Sequence, residues 1–206
     1  GFESGPRKRD LDTEFGVQAN PYVKYHYVNQ LEFSLMILDY YEYTGKDISE
    51  YMPFIKSALK FFDAHYQYRN RERTGGKPLD DNGKLVFYSS TAAETYKGAK
   101  NPTDVISALR AILPRMIRLP KHYVLDSEKQ YYTEYLQRVP EIPMGSRKGY
   151  RVIKPAESWR KVRNSEIPEL YPLFPYNLYG IGKSNLDIAK NTRSEERRVG
   201  KECATG

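Results

Sequence analysis

The sequence predicts a mainly α-helical fold: an α/α toroid built of helical hairpins, with long loops and short β segments. Apolar side chains recur at three- and four-residue spacing in several segments, as they do on the buried face of a helix. Long polar stretches separate these segments, and loops of that length in a compact domain usually carry function. A helical solenoid is also made of hairpins, but no fixed-period repeat is visible in the chain.

The first hairpin is predicted from two apolar stripes. Residues 21–44 form the first helix, and Gly45 is placed to end it, because glycine tolerates the left-handed conformation. A second, antiparallel helix is predicted to begin at a cap formed by Asp47 or Ser49 and to end near Tyr68. The apolar positions are Val28, Leu31, Leu35 and Leu38 in the first helix, and Met52, Ile55, Leu59 and Phe62 in the second.

The middle of the chain predicts two more helices and two short β segments. Residues 69–84 are charged and rich in glycine, which is typical of an exposed loop. Residues 85–88 and 150–153 are expected to be extended. The third helix is predicted over residues 102–118, with a kink at its internal proline, and the fourth over residues 127–138.

The C-terminal part predicts mostly loop. Residues 157–169 are polar, residues 172–182 are apolar and packed, and residues 185–192 begin a last helix. Residues 193–206 contain RSEERRVGKEC, which resembles the translation of a common sequencing adapter. We therefore expect a non-native tail that interrupts the last helix, preceded by one domain fragment over residues 1–192.

Composition argues against several classes of function. The chain has 33 Lys and Arg against 26 Asp and Glu, a net charge of +7, but its basic residues are scattered, so nucleic acid is not an expected partner. No apolar run approaches the ~18 to 20 residues of a membrane span. The single cysteine, Cys203, lies in the tail, so residues 1–192 have no disulfide or thiol chemistry.

Metal and phosphate sites are not expected either. The three histidines, His26, His65 and His122, are too far apart in the sequence to form a metal-ligand pattern. The segment GIGKS at residues 180–184 lacks the earlier glycine of a phosphate-binding loop, because Asn177 stands there.

Glu94 is the candidate catalytic residue. It follows the small residues Ala92 and Ala93, and burial among such groups keeps a carboxylic acid protonated near neutral pH, as a glycosidase acid requires. The local pattern alone favours an ordinary surface glutamate. Asn101 and Asp104 are interpreted as structural residues of the third helix. Asn101 is expected to cap the helix, and Asp104 is expected to be an acidic residue of its first turn.

Three spaced blocks, residues 26–45, 92–110 and 154–189, carry a resemblance to a known family. Together they resemble a bacterial group of six-hairpin glycosidase-like proteins, similar to glycoside hydrolase family 95, the α-L-fucosidase family. Where those fucosidases have Ser-Pro-Glu, this chain has Ala-Ala-Glu, ending at Glu94.

The resemblance implies an (α/α)6 toroid, present here in part. It also implies hydrolysis of a glycosidic bond with inversion of configuration, with Glu94 as general acid. It implies an oligo- or polysaccharide substrate, no organic cofactor and no metal, and a secreted or periplasmic parent protein. The base and its helper asparagines would lie outside residues 1–192, so we expect this fragment alone to be inactive. The predicted sugar-contacting residues are Tyr96, Glu157, Trp159, Asn164 and Glu166.

Two other interpretations stay open. The chain could be a non-catalytic carbohydrate-binding or scaffold domain, in which Glu94 is structural and a tyrosine-rich face binds ligand. It could also be a purely structural helical domain. The 19 tyrosines fit either, because Tyr fills helix contacts as readily as it stacks on sugars, and Trp159 has the same two roles open to it.

Overall fold

The computed structural model describes the backbone of residues 25–202 and the side chains of residues 25–194. Within this range the chain forms five α-helices and six short strands. The helices are α1 (Asn29–Thr44), α2 (Met52–Thr74), α3 (Thr103–Arg118), α4 (Asp126–Arg138) and α5 (Leu186–Glu202). The strands are β1 (Ser90–Ala92), β2 (Tyr96–Pro102), β3 (Met144–Arg147), β4 (Tyr150–Ile153), β5 (Ala156–Ser158) and β6 (Lys161–Val162).

Helices α1 to α4 surround one hydrophobic core. Arg115 of α3 pairs with Asp39 and Glu42 of α1, both at 2.6 Å, which fixes the α1–α3 contact. Tyr66 of α2 packs its ring edge-on against Phe87, with centroids 5.0 Å apart. The largest fully buried core side chains include Tyr66, Tyr135, Phe62, Phe87, Leu31 and Leu38.

Strand β2 is the centre of the larger sheet. It pairs antiparallel with β1 on one side, where Ala92 lies opposite Tyr96. On its other side it pairs with β5 and β6, which follow one another along the same edge. Because Pro102 ends β2 and Thr103 begins α3, the sheet continues into the core helix without a loop.

The smaller sheet is the β3–β4 hairpin, on which α5 packs. The Ile153 N–H donates to the Thr192 hydroxyl at 3.0 Å, which joins the last residue of β4 to α5. Helix α5 continues to Glu202, so the predicted interruption near residue 193 is wrong. None of the helices in residues 25–202 is both long and apolar enough to span a membrane.

The predicted fold class is wrong. The chain is 49% helical and 14% strand, with two small antiparallel sheets, and it is not a six-hairpin toroid. Helical periodicity revealed the helices, and the extended segment predicted over residues 150–153 is confirmed as β4. The other strands are short and lack an alternating pattern. The polar loop predicted over residues 157–169 overlaps β5 and contains β6, and these strands pair with β2 about sixty residues earlier in the chain.

Several element boundaries also differ. The structure begins α1 at Asn29, whereas the predicted residues 21–24 lie outside the described part. Gly45 does end α1, with φ 67° and its N–H bonded to the Tyr41 carbonyl. Helix α2 extends to Thr74, beyond the expected end. Residues 85–88 form no strand, and the first strand begins at Ser90.

A buried carboxylate joins α2 to α4. Asp63 is 6% exposed. It accepts hydrogen bonds from Gln67 at 2.8 Å, from the Tyr131 hydroxyl at 2.8 Å and from Arg138 at 2.9 Å. These donors compensate for the cost of placing the charge in the interior.

Asp63→Ala should lower the free energy of unfolding by about 3 kcal/mol, because it leaves the half-buried Arg138 guanidinium and the Tyr131 hydroxyl without their acceptor. Urea denaturation measures this loss. The control is Asp81→Ala, which breaks an exposed ion pair with Lys77 and should change stability by less than about 0.5 kcal/mol. Equal effects of the two substitutions would contradict the structural role of Asp63.

Candidate functional site

Glu94 lies in the tight connection between β1 and β2. Its side chain is half-buried, and its backbone N–H donates to Glu166 Oε2 at 2.7 Å. The preceding residue, Ala93, has φ 44°, which a residue with a side chain rarely adopts. The Ala93 N–H donates to Asp104 Oδ2 at 2.7 Å. Two carboxylates, one on each side, therefore fix the turn that carries Glu94.

Asp104 is the buried one of these two anchors. It lies in the first turn of α3, is 0% exposed, and accepts a second bond from the Val105 N–H at 2.9 Å. Burial raises the pKa of Asp104 to about 7. Its hydrogen bonds to backbone N–H groups oppose this rise, and nearby Glu32 adds to it. The sequence placed Asp104 correctly in the first turn, but its carboxylate also holds the Glu94 turn.

Asn101 does not cap α3 as predicted. It lies in β2 with φ 51°, and the residue before α3 is Pro102, whose side chain makes no cap. Asn101 exchanges hydrogen bonds with Phe87: its side chain accepts from the Phe87 N–H at 2.9 Å, and its own N–H donates to the Phe87 carbonyl at 3.0 Å. Since β2 enters α3 directly, the amide bridges neighbouring chain segments and does not serve the helix.

Four carboxylates gather around the Glu94 turn, and we call them the carboxylate cluster: Glu32, Glu94, Asp104 and Glu166. The pKa of Tyr171 is raised to about 12, mainly by burial, and the charges of all four carboxylates add to this rise. Burial also raises the pKa of Glu32, with a further contribution from Glu166. The cluster thus joins α1, the β1–β2 turn, α3 and the segment after β6.

Two basic groups face the cluster. His26 Nδ1 lies 3.1 Å from the Thr91 hydroxyl of β1. Burial lowers the pKa of His26, and the charges of Glu94 and Glu166 oppose that change. Burial likewise lowers the pKa of Lys97, against the same two carboxylates. Glu94 therefore has an imidazole and an ammonium among its electrostatic neighbours.

An aromatic pair joins β2 to the connection between β5 and β6. The Tyr96 and Trp159 rings meet edge-to-face, with centroids 5.1 Å apart and planes at 74°. Both line a cavity of about 400 Å³, which we call the Trp159 cavity. Its polar lining includes Lys154 and Glu169, and the Tyr96 hydroxyl donates to Glu169 at 3.3 Å.

The predicted sugar-contacting residues do not all come together. Tyr96 and Trp159 line the Trp159 cavity, and Glu166 contacts the Glu94 turn. Glu157 instead accepts bonds from Lys100 at 2.5 Å and from the Asn101 amide at 2.6 Å. The side chain of Asn164 accepts the Ser165 N–H in a local turn.

Glu94 does not line the Trp159 cavity, nor a second, larger groove of about 1140 Å³ between α1, α3 and residues 171–178. Sequence reasoning missed His26, Glu32 and Tyr171, whose local sequences carry no signal. Only contacts between distant segments bring them to the site.

Among the described side chains, no group of three or more His, Cys, Asp or Glu could hold a metal ion. No known protein family, no curated protein and no solved structure matches this chain. Inferences about its function therefore start from the geometry of the Glu94 turn and the Trp159 cavity.

Asp104→Asn should change how stability depends on pH. With a pKa of about 7 in the folded state against 3.8 as reference, Asp104 binds more protons in the native than in the unfolded chain between about pH 4 and pH 7. Its contribution to the free energy of unfolding therefore falls as pH rises through this window. Asparagine cannot titrate, so the variant should lose this downward trend.

Urea denaturation at several pH values between about 4 and 7 measures the trend, and the difference between the two proteins isolates the contribution of Asp104. The matched control is Asp81→Asn, an exposed carboxylate whose pKa is lowered by Lys77 and which should leave the trend in place. Parallel curves for wild type and Asp104→Asn would contradict the titration of Asp104.

Proposed function

We propose that this chain takes part in the hydrolysis of glycosidic bonds, with Glu94 as the proton donor and the Tyr96–Trp159 pair as a platform for the sugar. The observation that carries this proposal is the Glu94 turn. Its backbone is fixed on both sides, by Asp104 at Ala93 and by Glu166 at Glu94 itself. A general acid has to be held in place in this way to contribute to the transition state.

The surroundings of Glu94 supply the second support. A glycosidase acid works beside other carboxyl groups whose environments give them different proton affinities. In the carboxylate cluster, burial raises the pKa of Glu32 and Asp104, whereas Glu166 is exposed to solvent. His26 and Lys97 add two basic groups that interact electrostatically with Glu94 and Glu166.

The third support is the position of the aromatic pair. Trp159 is 38% exposed and lines a concave surface, where an indole face can stack on the C–H face of a sugar ring. Tyr96 is only two residues from Glu94, so the two Cα atoms are at most about 7 Å apart. The platform therefore lies beside the backbone of the Glu94 turn.

A second candidate function is carbohydrate binding without catalysis. Its specific support is that the Trp159 cavity is lined by both aromatic rings but not by Glu94. In this alternative the Glu94 turn is structural, and the carboxylate cluster only fixes the sheet to α1 and α3.

Binding is testable with the chain's single tryptophan, which reports on the platform directly. Titration with a panel of oligosaccharides should change the fluorescence of Trp159 at saturable concentration for at least one of them. Tyr96→Ala should weaken that binding about fivefold, because the edge-to-face partner is worth about 1 kcal/mol.

The matched control for binding is Tyr150→Ala, a tyrosine of β4 that is 61% exposed and does not line the cavity. It should bind saccharide as the wild type does. If no member of a broad panel alters the Trp159 signal, the sugar platform is refuted.

The proton donor is tested in the longest form of the protein that hydrolyses an aryl glycoside. Glu94→Gln should lower kcat/KM by about 10²- to 10⁴-fold for a substrate whose leaving group needs protonation. The loss should be much smaller for a dinitrophenyl glycoside, whose leaving group departs without a proton. A merely structural role would reduce both substrates equally.

The control for this experiment is Glu134→Gln, an exposed carboxylate on α4 far from the Glu94 turn in sequence. It should leave both rates unchanged. Wild-type rates in Glu94→Gln, together with intact saccharide binding, would favour the binding alternative.

A further inference from the structure

Lys154 is placed beside the indole of Trp159 by an unusual set of backbone constraints. It follows β4, and its N–H donates to the Pro143 carbonyl at 2.9 Å. Its carbonyl accepts from the Thr103 hydroxyl at 2.5 Å, which links it to the start of α3. The backbone of Lys154 is therefore held from two directions.

The stem of Lys154 crosses a glycine. A Cβ at Gly145 of β3 would lie 3.0 Å from Lys154 Cγ and 3.2 Å from Cδ, closer than ordinary van der Waals contact. Only glycine lets the aliphatic chain pass over the hairpin without displacement. The sequence Gly145–Lys154 thus forms a fitted pair across the β3–β4 hairpin.

The ammonium group of Lys154 lies over the Trp159 ring. Lys154 Nζ lies 5.8 Å from the Trp159 ring centroid and donates to the Glu157 carbonyl at 2.9 Å. An ammonium has three N–H donors, and among the described residues only this one bond engages them. Unlike Lys100, which pairs with Glu157, Lys154 forms no ion pair within the described side chains.

We propose that the Trp159 cavity selects saccharides that carry an anionic group, a uronic acid carboxylate or a sulfate ester, and that Lys154 binds this group. This inference rests on the proposed function, since it names the substrate class of the same platform. Because the ammonium lies over the indole, a sugar bound beside this ring would place a substituent against Lys154 Nζ. Lys154 is part of the lining of this cavity.

Glu169 also lines the cavity but is more buried than Lys154. It is 7% exposed and accepts a hydrogen bond from the Tyr96 hydroxyl, whereas Lys154 is half-buried. A carboxylate accepts hydrogen bonds from sugar hydroxyls, and an ammonium donates to an anionic group. The two groups therefore suit different parts of an acidic sugar.

The test uses the full 206-residue chain and the Trp159 fluorescence titration. Trigalacturonic acid is compared with its methyl ester, and a sulfated galactose oligosaccharide with its unsulfated form. At low salt one anionic form should bind about tenfold more tightly than its neutral partner, as expected for a charge-assisted hydrogen bond, and added salt should reduce the difference. The arm that shows the preference identifies carboxylate or sulfate as the ligand.

Lys154→Met keeps the aliphatic stem and removes the charge, so it should abolish the preference and leave binding of the neutral saccharide unchanged. Lys154→Arg should retain the preference. The matched control is Lys161→Met on β6, an exposed lysine outside the cavity lining, which should also retain it. Circular dichroism verifies that each variant is folded.

The outcomes separate the two proposals. Equal binding of anionic and neutral forms by the wild type, or an undiminished preference in Lys154→Met, overturns the role of Lys154 and leaves the sugar platform in place. A preference lost equally in Lys161→Met also overturns it, because general charge would then explain the effect. Absence of any saccharide binding refutes the proposed function, and this inference with it.

Discussion

The hydrogen bond from the Ala93 N–H to Asp104 determines the geometry of the whole candidate site. Asp104 sits where β2 becomes α3, and the first seven residues of that helix are all buried. The turn that holds Glu94 is therefore fixed to the most tightly packed part of the core. A left-handed φ at Ala93 is costly for a residue with a side chain, and a bond to a buried acceptor can stabilise it.

Strand β2 connects the Glu94 turn to the rest of the candidate site. It receives β1 on one side and both β5 and β6 on the other, so the segments that carry Glu157, Trp159 and Glu166 all follow the register of one strand. The carboxylate cluster lies at the beginning of β2, and the Lys154 backbone is bonded to Thr103 just beyond its end. Tyr96 connects the two regions, because it follows the Glu94 turn and its ring contacts Trp159.

The sequence predicted the helices well and the site poorly, for the same physical reason. Helical periodicity is local, so the stripes of α1 to α4 are visible in single windows of sequence. The strands of the larger sheet are not, because Gly98 and Pro102 interrupt β2 and its partners are recognised only by pairing across the fold. Glu32, Tyr171 and His26 belong to the site through contacts of this long-range kind, so their local sequence could not reveal them.

The proposed role of Glu94 does not depend on a toroid fold. Fold and function are separable, and a site is judged by the geometry and chemistry of its own residues. The bonds at Ala93 and Glu94 and the neighbouring acids support the proposed role of Glu94 without the resemblance. The carboxylate of Asp104, first interpreted as a helix-start residue, makes the position of Glu94 specific. A surface glutamate in a flexible loop would have no such anchor, and the backbone of Glu94 is held by bonds on both sides.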